Sequence, residues 1–398
     1  MKKSVAIIGS GPSAFLLAAF LDQEKFSITI YEKNKTSGRK FLVAGKGGFN
    51  LTHSESIENL VNKYTPKDFL SAALLNFTNQ DFRNWLQQIG IPTFVGSSKR
   101  VYPVKGIKPI KVLNSIMNHL KQKGVEFKHE HIFSGWDVNN NPIINNHKIE
   151  YDYTVFALGG ASWSVTGSNG DWLITFNNKS IKTKSFQASN CGYHIKWKSK
   201  FIELNEGEPL KNIAICCNDV VQKGEAVITK FGLEGNAIYG LSPQIRQQLI
   251  TNSTATIFID FKPSLSIEKV ISKIKLSSHK TIKDILKKEL KLSISQIDLL
   301  KYYLKKDSYL NTNTLANYIK RFPLNVVATA SIEESISTVG GIDKKSLTAN
   351  YELKNLPNQY CIGEMIDWDA PTGGYLLQAC TSTGVFLAKH LNQINEVH

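Results

Sequence analysis

The run VAIIGSGPSAFLLAAFL, residues 5–21, constrains this chain more than any other stretch. Ser4–Ile8 reads as a buried strand, Gly9–Gly11 as a tight turn and Pro12–Asp22 as a helix. Gly9-x-Gly11-x-x-Ala14 has the spacing of a dinucleotide fingerprint. Gly9 permits the tight turn. Gly11 lets a backbone approach a pyrophosphate with no Cβ in the way. Ala14 keeps the helix close to the strand. Ser10, Pro12 and Ser13 complete the turn, and the N–H groups and positive dipole end at the helix start suit phosphate. A second strand, Ser27–Tyr31, ends in Glu32 and Lys33. Glu32 stands where a carboxylate accepts from both ribose hydroxyls and repels a 2′-phosphate. The apolar run breaks at Gly9, so MKKSVAIIGSG reads as a first strand and not as a secretory segment. The expected compartment is the cytoplasm, and no window resembles a membrane span.

A βαβ unit of this kind takes NAD or FAD, and later segments favour FAD. Arg39 and Lys40 follow Glu32 closely and offer cations to a pyrophosphate. A glycine-rich stretch with Gly45, Gly47 and Asn50 comes next. A hairpin begins at Ile132, and the strand TVFALGG ends in Gly159 and Gly160, where backbone passes close to a cofactor again. Near the C-terminus, YCIGEMIDWDAPTGGYLLQA places Gly363 and Glu364 after a strand, with Asp367 beyond. Gly373 and Gly374 then start a helix, followed by Tyr375. A helix N-terminus can face the flavin N1–C2=O edge and stabilise the negative charge of the reduced ring.

These segments together resemble the bacterial BaiN-like (YhiN-type) NAD(P)/FAD-dependent oxidoreductase flavoproteins. The resemblance rests on IIGSGPSAF, EKNKTSGRKFLVAGKGGFNLTHS, GIPTFVGSSKRVYPV, FALGGASWSVTGSNGDW, VITKFGLEGNAI, TVGGI and IGEMIDWDAPTGGYLLQACTSTG. It implies non-covalent FAD and a split FAD-binding domain carrying an inserted domain of strands and helices. The chain departs from the family where GGGRCN is GKGGFN, residues 45–50, so that Gly48 and Phe49 replace an arginine and a cysteine. The family's SGP is EGN at 234–236. Both departures mark a divergent subgroup.

The expected fold is therefore α/β: a discontinuous Rossmann-like FAD domain of the glutathione-reductase type, 1–185 with 336–398, and an inserted α+β substrate or cap domain, 186–335. The texture supports that division. Residues 66–90 and 108–123 have helical spacing, with Pro109 and Gly124 bounding the latter. From about 185, short strands and polar turns run to 261, lysine-rich helical segments to about 320, and a strand-like stretch covers 324–339.

Net charge is +15 over 398 residues. Residues 262–307 hold twelve Lys against five Asp and Glu, and 179–200 hold six Lys and no acid. Lysines at helical spacing usually form a solvated face, and the excess lacks the interleaved Arg and aromatics of nucleic-acid contacts. Cys191, Cys216, Cys217, Cys361 and Cys380 are odd in number and form no Cys-x-x-Cys, which argues against a disulfide framework, a dithiol centre or a zinc site. The histidines show no metal spacing.

Several residues stay open between roles. Lys46 suits flavin N5, a substrate anion or solvent. Tyr375 suits the flavin or the core. Arg100–Pro103 suits an anionic substrate, though an exposed turn fits better. Trp163 suits the cofactor or a packing gap. His53 and His194 read as structural or exposed. No carboxylate pair or nucleophile–base set stands out, and a second fingerprint for a nicotinamide domain is missing. The expected activity is hydride transfer through FAD N5 to or from a small-molecule substrate under the inserted domain, with NAD(P)H as a transient donor if one is used. The rivals are a flavoprotein acting on RNA, of tRNA-modifying type, and a non-catalytic flavin-binding redox protein. Oligomeric state is open.

Overall fold

The structure, a computed structural model, describes residues 1–43 and 48–395. Contacts divide the chain into two units, Met1–Gln187 with Ser337–His398, and Ala188–Ile336. Each has its own apolar core, and no buried residue is shared between the two clusters.

The first unit is built on a five-stranded parallel sheet in the order Gln359–Cys361, Tyr153–Phe156, Lys3–Ile8, Phe26–Glu32, Glu126–His129. Lys3–Ile8 is central, with four fully or nearly fully buried residues at its end, as a strand covered on both faces requires. The edge strand Gln359–Cys361 comes from the far end of the chain and pairs with Tyr153–Phe156. The sheet is thus closed only after the second unit has been made.

The helix Pro12–Phe20 buries seven of its residues and is apolar on all sides. That pattern belongs to a helix covered all round. One cover is the closing helix, Tyr375–Ile394. It approaches so closely at Gly384 that a Cβ there would stand 2.9 Å from the Leu17 amide nitrogen. The helix expected from Gly373 begins at Tyr375. Gly373 and Gly374 have φ of 112° and 102°, so the backbone turns twice in the left-handed region before the first helical residue.

Two other expectations are refined. The 66–90 stretch is two helices, Ser71–Asn76 and Asn79–Gln88. Thr78 breaks it, because its side chain and Asp81 form a reciprocal N-cap. The strand-like 324–339 stretch is also two elements, Phe322–Thr329 and Ser337–Ile342, separated by a turn that Ser331 and Glu334 cap.

The second unit is a closed, antiparallel six-stranded barrel. Its order is Tyr193–Ile195, Gly232–Glu234, Val220–Thr229, Pro209–Cys217, Ala255–Asp260, Phe322–Thr329. Inward residues alternate along Ala255–Asp260. Five short helices between Ile267 and Lys320 pack their apolar sides onto the same core, and their lysines are exposed except Lys320, which pairs with Asp260. No helix among the described residues is long and apolar enough to cross a membrane.

Candidate functional site

A cavity of about 290 Å³ opens at the C-terminal end of the central strand. This is where parallel sheets hold ligands, since the crossovers on either side of the strand diverge there. Gly9, Ser10, Gly11, Pro12, Ser13, Glu32, Lys33, Arg39, Lys40, Ile132, Gly159 and Glu364 all line it. Sequence positions spread over 355 residues thus meet in one place.

The two glycines of the turn are there for different reasons. Gly9 has φ of 108°, and a Cβ on it would run into the carbonyl of Ala157. The fold itself demands glycine there. Gly11 has φ of −105°, which any residue adopts, and a Cβ on it would meet nothing within 4 Å. Neither backbone conformation nor packing demands glycine at 11. The open space before it is the cavity, beside the uncapped start of Pro12–Phe20. A Cβ would fill the cradle that a pyrophosphate needs, so these residues fit the nucleotide part of FAD.

Glu32 is held in place by its neighbours. Ser10 Oγ donates to Oε2 in a short bond, and the Asn34 amide and side-chain nitrogens both donate to Oε1 at 2.8 Å. The carboxylate is thereby fixed at the cavity wall with acceptor capacity remaining. Lys33 Nζ donates to Asn169 Oδ1 at 3.0 Å. Burial lowers its pKa, against the pull of Asp171 and Glu32.

The cations expected at the pyrophosphate line the cavity and already have protein partners. Arg39 Nη2 donates to the Val165 carbonyl at 2.9 Å. Lys40 Nζ lies 2.9 Å from Glu364 Oε2 and donates to Ser162 Oγ at 2.8 Å. Lys40 and Glu364 are thus a partly buried ion pair in the cavity wall, which ties the first crossover to the last loop.

Other expected contacts stand apart from the cavity. Ala14 is fully buried against the sheet. Gly160 backs onto Thr338 and Glu364, and Gly363 (φ 77°) onto Ser13 Oγ. Asp367 receives Lys184 Nζ at 2.5 Å and the Gly340 amide at 3.1 Å. Asn50 lies beyond the lining residues. Gly374 packs on the backbone of Thr52, and Gly373 faces Arg100. The Tyr375 phenol donates to Glu55 in a short bond. None of these three lines the cavity, and the positive φ of both glycines is in itself a structural reason for the pair. Gly45, Gly47 and Lys46 lie outside the described residues.

Sequence reasoning missed Asn34, Trp172 and Cys380. Asn34 holds Glu32. Trp172, whose Nε1 donates to the Gly159 carbonyl at 3.1 Å, lines the cavity where Trp163 does not. The glycine-rich loop 159–170 that delivers Trp172 was a usable signal. Cys380, on the closing helix, also lines the cavity. Burial pushes its thiol up to about 12, helped by Glu364, so it is no thiolate nucleophile at neutral pH.

The HI0933-like protein Rossmann domain family matches residues 3–390. A Haemophilus influenzae protein named ribosomal RNA dihydrouridine synthase is 23% identical over 97% of this chain and 98% of that protein. An Escherichia coli protein of the same name is 20% identical over 97% of each. Among solved structures, the open conformation of a flavocytochrome c3 fumarate reductase covers 98% of this chain and 78% of its own, with a TM-score of 0.51 and 12% identity. That likeness concerns the fold alone.

Proposed function

We propose that this chain, which belongs to the HI0933-like family, binds FAD in the cavity beside Gly11 and transfers hydride between the cofactor and a carbon–carbon double bond. The observation that carries this reading is Gly11 itself. Its Cβ space opens into a cavity bounded by a helix N-terminus and by Glu32, held by three hydrogen bonds. Bound FAD would supply hydride chemistry at N5, and the protein supplies orientation and electrostatics. Glu32 would take the ribose hydroxyls and the Gly11–Ser13 turn the pyrophosphate. The Lys40–Glu364 pair would fix the cavity's inner end. The inserted unit, 188–336, is proposed as the substrate-facing domain, and NAD(P)H as a transient donor.

The test is anaerobic. Purified protein is mixed with NADH and with NADPH separately, and flavin bleaching is followed. Acceptors are then screened for the one that restores the yellow form. Bleaching followed by reoxidation with an alkene supports the reading. A protein with no flavin and no capacity to be reconstituted with it overturns it.

A second reading, uridine within RNA as the acceptor, draws support from the names of the two relatives and from the exposed lysines of Ile267–Lys275 and Ile282–Lys288. It requires ribosomal RNA to reoxidise the reduced protein, with binding that weakens steeply as salt rises.

A further inference from the structure

The order of strands sets two loops on either side of the central strand. Lys3–Ile8 lies between Phe26–Glu32 and Tyr153–Phe156, so those two strands stand about 10 Å apart, twice the spacing of neighbours. The chain after Glu32 and the chain after Phe156 both line the cavity, and the turn at 9–13, at the end of the central strand, lines it between them. The first loop contributes Lys33, Asn34 and Arg39, the second Thr166, Gly167 and Asn169.

Side chains of the first loop reach across to the second. Arg39 Nη2 donates to the Val165 carbonyl at 2.9 Å, and Lys33 Nζ donates to Asn169 Oδ1 at 3.0 Å. Between these ties, Gly167 stands against Asn34. A Cβ on Gly167 would be 3.5 Å from Asn34 Cγ and 3.4 Å from Lys33 Cε. The central strand keeps the two parent strands apart, so it is these side chains that join the loops across the turn.

The second loop is built in two parts. Its base is fixed. Ser168 Oγ donates to the Gly160 carbonyl at 2.8 Å, and Trp172 Nε1 donates to the Gly159 carbonyl at 3.1 Å. Gly170 packs so closely that a Cβ on it would stand 2.8 Å from Ala161 Cβ and 2.9 Å from the Phe186 ring. Its tip is a single turn, Ser164–Thr166, bonded to itself. The Thr166 amide and hydroxyl donate to the Trp163 carbonyl at 2.8 and 2.7 Å, and the Gly167 amide donates to the Ser164 carbonyl at 2.8 Å. Trp163 and Gly167 flank this turn with φ of 64° and 101°, so the chain enters and leaves it in the left-handed region. Val165, at the apex, is 74% exposed. A self-bonded turn with a few special dihedrals at its two ends is suited to move as one piece.

We propose that residues 163–167 are a strap across the nucleotide site, held shut by Arg39 at its apex and by Lys33 at its foot, and that its opening admits and releases the dinucleotide. The inference rests on the reading of the cavity as an FAD nucleotide site and adds how the cofactor is retained. Arg39 and Lys33 are exposed and bond in competition with water, so each tie is weak enough to open. A ligand passes only during the fraction of time the strap is open, so a gate slows entry and exit alike. A cation that grips the pyrophosphate acts differently at one step: it draws the anion in and speeds entry. The association rate therefore separates the two roles.

Two measurements on the full chain test this, and neither involves turnover. The first is stopped-flow binding of FAD to flavin-free protein, read by flavin fluorescence, with release followed into an excess of apo-glucose oxidase as a trap. In protein carrying both Arg39→Met and Lys33→Met, entry and exit are each expected to be about tenfold faster, with Kd changed by less than about threefold. Rates equal to wild type, or faster release with entry equal or slower, overturn the proposal and leave the flavin reading standing. The second measurement locks the strap. Arg39→Cys and Val165→Cys, at two exposed positions, are bridged by a short bismaleimide, and each single variant treated with the same reagent is the control. Bridged protein is expected to take up FAD at least about 100-fold more slowly than either control, and protein loaded before bridging to release it as slowly. Uptake or release at the control rates overturns the proposal. Wild-type protein that takes up no FAD overturns the flavin reading and the strap with it.

Discussion

Gly9 and Gly11 are two residues apart and answer to different constraints, which makes them separable by mutation. Gly9→Ala places a Cβ against Ala157 at a positive φ and is expected to cost about 1–3 kcal/mol, read as a fall in Tm. Gly11→Val is expected to leave the Tm of the cofactor-free protein unchanged and to abolish FAD retention, because only the ligand occupies that space. If Gly11→Val unfolds the protein instead, the cradle is misplaced. The Lys40–Glu364 pair gives a second residue-scale test. Its side chains are 28% and 15% exposed, so its coupling in a Lys40→Met, Glu364→Gln double-mutant cycle should fall to about 1–2 kcal/mol, below fully buried pairs. Cys380 supplies a third. With its pKa at about 12, it stays a thiol at pH 8, and alkylation by iodoacetamide begins only as pH climbs towards that value. Rapid labelling of Cys380 in the native protein at pH 8 would contradict the burial described. The fingerprint glycines and Glu32 were legible in the sequence because their roles are set within 30 residues. The commitment of Lys40 to Glu364 was not, because the partners are 324 residues apart and no local pattern encodes such a pairing.

At the scale of elements, the first helix Pro12–Phe20 and the closing helix Tyr375–Ile394 make the tightest demand. Gly384 is where their backbones meet, and a Cβ there would overlap the Ser13 carbonyl. Gly384→Leu is expected to cost about 1–3 kcal/mol by overpacking, and to weaken FAD because the crowded carbonyl belongs to the turn proposed to take the pyrophosphate. A Tm and an FAD affinity equal to wild type would refute that close contact. The helix at 109–122 was readable from its bounding Pro109 and Gly124. The closing helix was readable too, but not its start, since two successive left-handed glycines delay it to Tyr375. Their Gly-Gly signature reads as a cofactor contact. The pair also lets Thr52 and Arg100 approach, and this is visible only when the strand that crosses it is known.

At the scale of the molecule, two apolar cores form from one interrupted chain. Residues 188–336 close their own barrel, so this segment expressed alone is expected to melt in a single cooperative transition by circular dichroism. A molten or aggregated product would show that it depends on the first unit. The change of texture near 185 was legible because a parallel sheet with helices gives way to short strands. That these strands close a barrel was not, because closure depends on pairings across 130 residues rather than on any one strand's pattern. The central claim remains that the cavity at the end of the first strand is a flavin nucleotide site. Its most direct test is to purify the full chain, denature it and identify what is released by mass and absorbance. The account predicts FAD at about one per chain, absent from Gly11→Val. Wild-type protein that releases no flavin and takes up none when FAD is added would contradict it.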